Sequence, residues 1–429
     1  MRYTLFLPYS TDGGKKTEPS FIRSELMYKC ILCRYHEIAT KGHNRSMFEN
    51  KLMNNIRLLA EYDGIADLTV QRIRGRVFVR KLHNAPIESA EMEKIKHMLS
   101  RCFGLESFSP VLECKAHPET LFEKAVECAK AHLDALLQKQ TVVRFRTRAR
   151  RSDKSFPLIS RDIEIEMATR LHKIYDDRIK VDLDNPELTI GIEVREKSAL
   201  VFHETFKGPG GLPVGTNSDV LAMLSGGIDS PVACHMTMKR GCHVDFLTFH
   251  SFPYTPEESL EKVKRIASVL NRYQKKGRLF ACNLAPLQKL IRDHCNPRHR
   301  TILYRRMMMR IATMVCHFHK LHGIVTGDSI GQVASQTIIN MSIINDATSM
   351  LMIRPLVGMD KLESIDRAMK IGTFDLSIID VPDSCTVFAP SSPAVAAKYD
   401  LVEEDEKKIP DLEKVLDETF RAIVRYDNL

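Results

Sequence analysis

The spacing of apolar and polar positions changes period several times along the chain, and each change predicts an element. Past a polar, turn-rich leader over residues 1–24, the run Cys30-Ile31-Leu32-Cys33-Arg34-Tyr35 predicts a strand. From Ser46 to Tyr62 the spacing is helical, with Phe48, Leu52, Ile56 and Leu59 on one stripe. Leu68–Val70 and Arg76–Val79 read as paired strands around Arg74-Gly75, and Glu91–Leu99 as a second helix. With a further strand near residue 105, the order β-α-β-β-α predicts a small α+β unit of ferredoxin-like type over residues 25–105.

A second α+β unit follows over residues 106–205. Pro118–Gln138 and Ser160–Ile174 are helical, and Val181–Leu183, Leu188–Val194 and Ala199–His203 are strands. Thr141–Arg148 alternates. Val143 and Phe145 point one way and Arg144, Arg146 and Arg148 the other, which predicts a half-buried strand with a cationic face. In the next nine residues, Lys207–Gly215, six are Gly or Pro, so residues 206–216 are a linker. Beyond it strands (219–224, 243–249, 279–283, 323–326) alternate with helices (231–240, 256–271, 302–320). Such alternation predicts a parallel sheet with helices on both faces, an α/β domain over residues 217–398. A helical tail over residues 399–429 closes the chain.

Composition sharpens the picture a little. The 429 residues carry 63 Lys+Arg against 54 Asp+Glu, a net charge of +9 that favours polyanion binding without proving it. The distribution says more: Arg144, Arg146, Arg148, Arg150, Arg151 and Lys154 form a dense cationic run suited to phosphates. The bland alternative is a solvated edge strand whose charges discourage aggregation. No apolar stretch is long enough to span a bilayer. Eleven scattered cysteines, an odd number, fit reduced thiols in a cytoplasmic protein. No metal-ligand motif is read. Cys30 and Cys33 lie three apart on a strand and face opposite ways. The stretch Cys316 to His322 ends a helix, where cations favour the dipole.

The most informative segment is Leu224-Ser225-Gly226-Gly227-Ile228-Asp229-Ser230-Pro231, an apolar strand running through a glycine turn into a helix. Glycines let a backbone approach an anion and take otherwise strained angles. Free amides at the helix start then bind phosphate, and Ser225 and Ser230 add hydroxyl donors. Asp229 would repel phosphate unless it holds Mg²⁺ or a polar partner. The turn is neither a Gly-x-x-x-x-Gly-Lys loop nor a dinucleotide fingerprint.

Here the chain resembles a family. Ser225–Ser230 is similar to the pyrophosphate (PP) loop of ATP-pyrophosphatases. Thr248–Pro253, Val325–Thr337 and Arg354–Lys361 resemble the tRNA 4-thiouridine synthetase (ThiI) family, as do Glu37–Arg45 and Gly210–Thr216. The resemblance implies a ferredoxin-like domain, an RNA-binding THUMP domain and a PP-loop catalytic domain in that order. It implies ATP and Mg²⁺ as cofactors, tRNA as substrate, and a cysteine desulfurase or other sulfur donor as partner, with a homodimer as the assembly to expect. Met223, Leu224, Thr248 and Phe249 would line the adenosine pocket, as ligands at the carboxyl ends of such strands do. Arg305, Gly327 and Gln336 match further nucleotide-contacting positions, joining Ser225, Gly226, Gly227, Asp229 and Ser230. Asp229 and Lys361 match polar residues of the reaction, and Cys385 matches the reactive cysteine.

Some members carry a rhodanese-like domain with a second reactive cysteine, the domain linked to thiamine synthesis. This chain has no cysteine after Cys385. A second thiol would be Cys234, Cys282, Cys295 or Cys316, come from another protein, or be unnecessary. The expected activity is replacement of a uridine O4 by sulfur in tRNA, at position 8 by resemblance. The alternatives are another PP-loop modifier, of 2-thiolation or lysidine type, and a non-catalytic tRNA-binding module.

Overall fold

Strand β1 (Cys30–Arg34) sits between two partners, and Cys30 to Cys33 are all buried. Cover on both faces is why this strand reads as a continuous apolar run and not as an alternation. Helix α1 (Arg45–Tyr62) buries the predicted stripe, Phe48, Leu52, Ile56 and Leu59. Strands β2 (Leu68–Ile73) and β3 (Arg76–Lys81) form a hairpin, helix α2 (Ser89–Arg101) follows, and β4 is Ser107–Lys115. The order β2-β3-β1-β4 is antiparallel throughout. The structure, a computed structural model, describes residues 26–382, 387–390, 392–427 and 429; the expected leader, residues 1–24, lies outside them. The described chain divides into two compact units: Cys114–His203, and Tyr28–Glu113 together with Glu204–Leu429.

In the unit Cys114–His203, helix α3 (Pro118–Leu137) precedes β5 (Val143–Arg151) and helix α4 (Ser160–Tyr175). Strands β6 (Ile179–Val181), β7 (Leu188–Val194) and β8 (Ser198–Phe202) complete a sheet ordered β8-β7-β5-β6. Strand β5 runs parallel to β6 and β7, and β8 runs antiparallel to β7. The alternation read from the sequence holds: Val143, Phe145, Thr147 and Ala149 are buried while Arg144, Arg148 and Arg150 are exposed.

In the other unit a short strand, β9 (Phe206–Lys207), pairs with β4 before the linker. Then come β10 (Val220–Met223), α5 (Asp229–Lys239), β11 (Val244–His250), α6 (Glu257–Asn271), β12 (Leu279–Asn283), α7 (Ala285–His294) and α8 (Arg300–His319). They are followed by β13 (Ile324–Val325), α9 (Ile338–Asn345), β14 (Met352–Ile353), α10 (Lys361–Ile371), α11 (Phe374–Ser377), α12 (Tyr399–Glu406), α13 (Leu412–Arg421) and β15 (Val424–Tyr426). The sheet order is β14-β13-β10-β11-β12-β15. The four expected strands are parallel, and β14, which the sequence reading did not include, joins them in the same sense; β15 closes the other edge antiparallel to β12. The C-terminal segment is therefore two helices and an edge strand, with Val402, Ile409 and Leu416 buried in the same core as α8. Pairing β12 removes one exposed edge from the sheet.

Candidate nucleotide-binding site

The strand order reverses between β10 and β13, and a cavity of about 500 Å³ opens there, at the carboxyl ends of β10, β11 and β13. That is the position where open parallel sheets bind ligands, and the volume suits a nucleotide. Its wall contains Met223, Leu224, Ser225, Gly226, Gly227, Asp229, Ser230, Thr248, Phe249, Arg305, Gly327 and Gln336. All twelve nucleotide-site residues expected from the sequence thus surround one cavity, although they come from positions more than a hundred residues apart.

The loop is held by its own serines. Ser225 N donates to Ser230 Oγ at 2.9 Å, the two hydroxyls lie 3.0 Å apart, and Gly227 N donates to Ser225 Oγ at 3.3 Å. Helix α5 starts at Asp229, so the loop meets the positive end of its dipole. One sequence expectation needs correction: Gly226 and Gly227 do not adopt left-handed backbone angles. Their value is space. A Cβ on Gly226 would press on the Lys262 side chain at 3.2 Å, whereas one on Gly227 would meet nothing nearer than Ser225 Oγ at 3.5 Å. Gly327 is tighter still, because a Cβ there would lie 2.7 Å from Ser230 N. Its close approach is to the loop's own backbone, and it seats β13's exit against the start of α5.

Lys361 reaches this site through a capping box. Asp360 accepts from Glu363 N at 2.9 Å while Glu363 accepts from Asp360 N at 3.0 Å, which fixes Lys361 at the first position of α10. Lys361 Nζ donates to both Asp229 oxygens, at 3.0 and 2.9 Å, and Gln332 Nε2 donates to one of them at 2.9 Å. The polar partner that Asp229 requires is therefore present. One carboxylate at the phosphate loop also fits Mg²⁺, an ion usually bound by one or two carboxylates with substrate phosphates and water.

Arg305 projects from the second turn of α8 and is partly committed. It donates to Asp328, and to Ser335 Oγ at 3.1 Å. Asp328 also accepts from Thr326 Oγ1 at 2.7 Å and from Gln336 Nε2 at 3.2 Å. Burial pushes the Asp328 carboxyl up, but the Arg305 charge and these donors outweigh it and hold its pKa below the ordinary value. Arg305 and Gln336 thus meet at a buried carboxylate that the sequence reading did not single out. Lys262 was also missed. It is buried on α6 beside Gly226, and its Nζ donates to Ser377 O at 2.9 Å and Ile379 O at 2.8 Å. Ser259 Oγ donates to Pro382 O at 2.8 Å. Together α6 and its lysine pin the segment 377–382 along the cavity wall. Cys385 follows three positions later in the sequence and lies outside the described residues.

Comparison with known proteins places this site in a family. The family described as "Thiamine biosynthesis protein (ThiI)" matches residues 215–410, its ferredoxin-like domain matches residues 30–109, and the THUMP domain matches residues 115–204. The chain is 38% identical over 399 residues to the "Probable tRNA sulfurtransferase" of Thermoanaerobacter pseudethanolicus, covering 93% of this chain and 100% of that protein. The chain belongs to the ThiI family. The ThiI relative of Caldanaerobacter subterraneus is likewise 38% identical, with the same coverage. Among solved structures, a 4-thiouridine synthetase–RNA complex with bound ATP superposes on this ThiI chain with a TM-score of 0.81 and 33% identity. It covers 93% of this chain and 99% of that one.

The four cysteines weighed as a second thiol in this ThiI chain are all buried. Burial pushes the Cys234 thiol far up, Cys282 and Cys316 to about 12, and Cys295 to about 11. None is poised as a thiolate, the reactive form. On β5, Arg144 pairs with Glu187 at 3.4 Å, Arg146 donates to Leu183 O at 2.8 Å, and Arg151 donates to Phe156 O at 2.9 Å. Arg148, Arg150 and Lys154 are exposed. Among the described residues no helix is long and apolar enough to cross a membrane.

Proposed function

We propose that this chain is an ATP-dependent tRNA sulfurtransferase that converts a uridine to 4-thiouridine. The observation that carries the reading is the convergence of the Ser225–Ser230 loop, Arg305, Gln336 and the Asp229–Lys361 pair on one nucleotide-sized cavity. The loop amides and hydroxyls grip the β- and γ-phosphates of ATP and stabilise the charge of departing pyrophosphate. Met223, Leu224, Thr248 and Phe249 hold the adenosine. Mg²⁺, held by Asp229 and the phosphates, would supply further charge neutralisation.

The uridine O4 attacks the α-phosphorus, the bond to the bridging oxygen breaks, and pyrophosphate leaves. Sulfur then attacks C4 and the C4–O bond breaks, releasing AMP. If the sulfur is a persulfide on Cys385, its S–S bond must then be cleaved by a second thiol, which is oxidised to a disulfide. If it is free sulfide, no such thiol is needed. The buried state of Cys234, Cys282, Cys295 and Cys316 favours a thiol from the sulfur donor, or sulfide itself. The exposed arginines of β5 bind tRNA phosphates and position the substrate without reading its sequence.

The decisive experiment incubates the chain with ATP, Mg²⁺ and unmodified tRNA, with either sulfide or a cysteine desulfurase and cysteine. Pyrophosphate release that depends on tRNA, and 4-thiouridine in the digested nucleosides, are the expected results. A 2-thiolated or lysidine product would reassign the reaction. Absence of tRNA-dependent pyrophosphate release would sink it.

A further inference from the structure

The unit Cys114–His203, which does not include the nucleotide loop, gathers a thiol and two imidazoles. Cys128 and His132 are one helical turn apart on α3 and so share a face. His203 directly follows β8, a strand against which α3 packs. One donor atom from each of the three lies within 4.8 Å of the others. The two imidazole rings are 3.4 Å apart between centroids. Cys128 is fully buried, whereas His132 and His203 are partly open, which leaves an entry path on the imidazole side.

One hydrogen bond makes this more than a cluster. His132 Nδ1 lies 2.9 Å from the Cys128 carbonyl oxygen. A carbonyl can only accept, so Nδ1 carries the proton and, in the neutral ring, Nε2 is the lone-pair nitrogen. Metal-bound histidines are oriented in this way, with the other ring N–H donated to a backbone carbonyl.

We propose that Cys128, His132 and His203 form a binding site for a borderline-soft divalent transition ion, foremost Zn²⁺. The Cys128 sulfur, His132 Nε2 and a His203 ring nitrogen are the protein ligands, and water completes a tetrahedron. The nitrogen and sulfur donors exclude Mg²⁺ and Ca²⁺, which take oxygen. Burial, with a smaller contribution from Glu127, pushes the Cys128 thiol up to about 12, so without an ion it keeps its proton. On binding, the S–H bond breaks, the proton leaves to solvent, and a sulfur–metal bond forms with no change of oxidation state. The ion clips α3 to the end of β8. The proposal is independent of the sulfurtransferase reading.

The test uses the full chain, stripped with chelator and titrated with Co²⁺ alone as a coloured stand-in for Zn²⁺. One Co²⁺ per chain is expected, with a thiolate-to-cobalt charge-transfer band, about one proton released per ion, and displacement by Zn²⁺. The band should vanish in Cys128→Ser. Should that core variant fail to fold, the partly exposed His132→Gln and His203→Gln carry the test, each with affinity at least 10-fold weaker. No thiolate band in the parent chain overturns the proposal. So does a band that persists unchanged in the histidine variants, because the ion would then sit on other cysteines.

Discussion

Lys361 and Asp229 meet head-on, the ammonium spanning both carboxylate oxygens at 3.0 and 2.9 Å, although they lie on different helices. Lys361 is 44% exposed, so the pair contributes little to stability, at most ~1 kcal/mol. In the proposed reaction its place beside the phosphate loop would give it another use, keeping Asp229 from repelling the triphosphate and carrying positive charge to the leaving group. Lys361→Ala is expected to lower tRNA-dependent pyrophosphate release by about 10²-fold or more, the cost typical of a lost electrostatic contact at a reacting centre. Thermal unfolding should barely move. A variant with full activity, or one that is simply unfolded, would contradict this assignment.

Two glycines at the same loop should respond oppositely to alanine. At Gly227 the added methyl meets only Ser225 Oγ, at 3.5 Å, so the fold tolerates it; if the loop binds phosphate as proposed, the methyl would crowd the anion. ATP affinity should fall about 10-fold, equivalent to ~1.4 kcal/mol, with Tm unchanged. At Gly327 the methyl would collide with Ser230 N at 2.7 Å, so Gly327→Ala should destabilise by ~1–3 kcal/mol. Calorimetric ATP titration and thermal melts on both variants separate the two effects.

The glycine loop was legible in the sequence because its chemistry is local: serines, glycines and an acid follow one strand without a gap. The amphipathic helices were legible for the same reason, as the Phe48–Leu59 stripe shows. What could not be read was whatever depended on distant pairing. Asp328 reads as a polar loop residue until α8 brings Arg305 onto it. Lys262 reads as a solvated helix lysine, yet the chain past α11 folds back over it and buries its ammonium. Strand β15 is three residues long, with Val424 and Arg425 exposed, so it leaves no periodic signal; only its pairing with β12 defines it. Cys128 and His132 lie one helical turn apart on α3, a spacing the sequence reading did not single out, and nothing in the pattern announces His203 as their neighbour.

On β5 the arginines divide by what they already touch. Arg144 and Arg146 are engaged with Glu187, Leu183 and Thr189, whereas Arg148 and Arg150 face solvent on the same side of the strand. If that face binds tRNA, the double variant Arg148→Ala/Arg150→Ala should weaken tRNA binding. It should also reduce the slope of log K against log salt by ~1 per lost phosphate contact. Binding measured from low to moderate salt supplies the slope. An unchanged slope would return these residues to the role of a charged, aggregation-resistant surface.

His235 predicts an acid-side instability. It lies on α5, with its ring 5.0 Å from Phe103 and 4.8 Å from Tyr273, and burial, aided by the charges of Lys239 and Arg367, lowers its pKa from 6.5 to about 3. Between these values the unfolded chain binds a proton that the native chain does not. Stability is therefore fully present above pH 6.5 and falls as pH drops through the window, by up to ~1.4 kcal/mol per pH unit, levelling off near 3. His235→Leu removes the titration. Whatever it does to absolute stability through packing, its unfolding free energy should fall less steeply than the parent's between about pH 6 and pH 4. Denaturant melts across that range give both curves, and parallel slopes would show that His235 is already protonated, or already exposed, in the native protein.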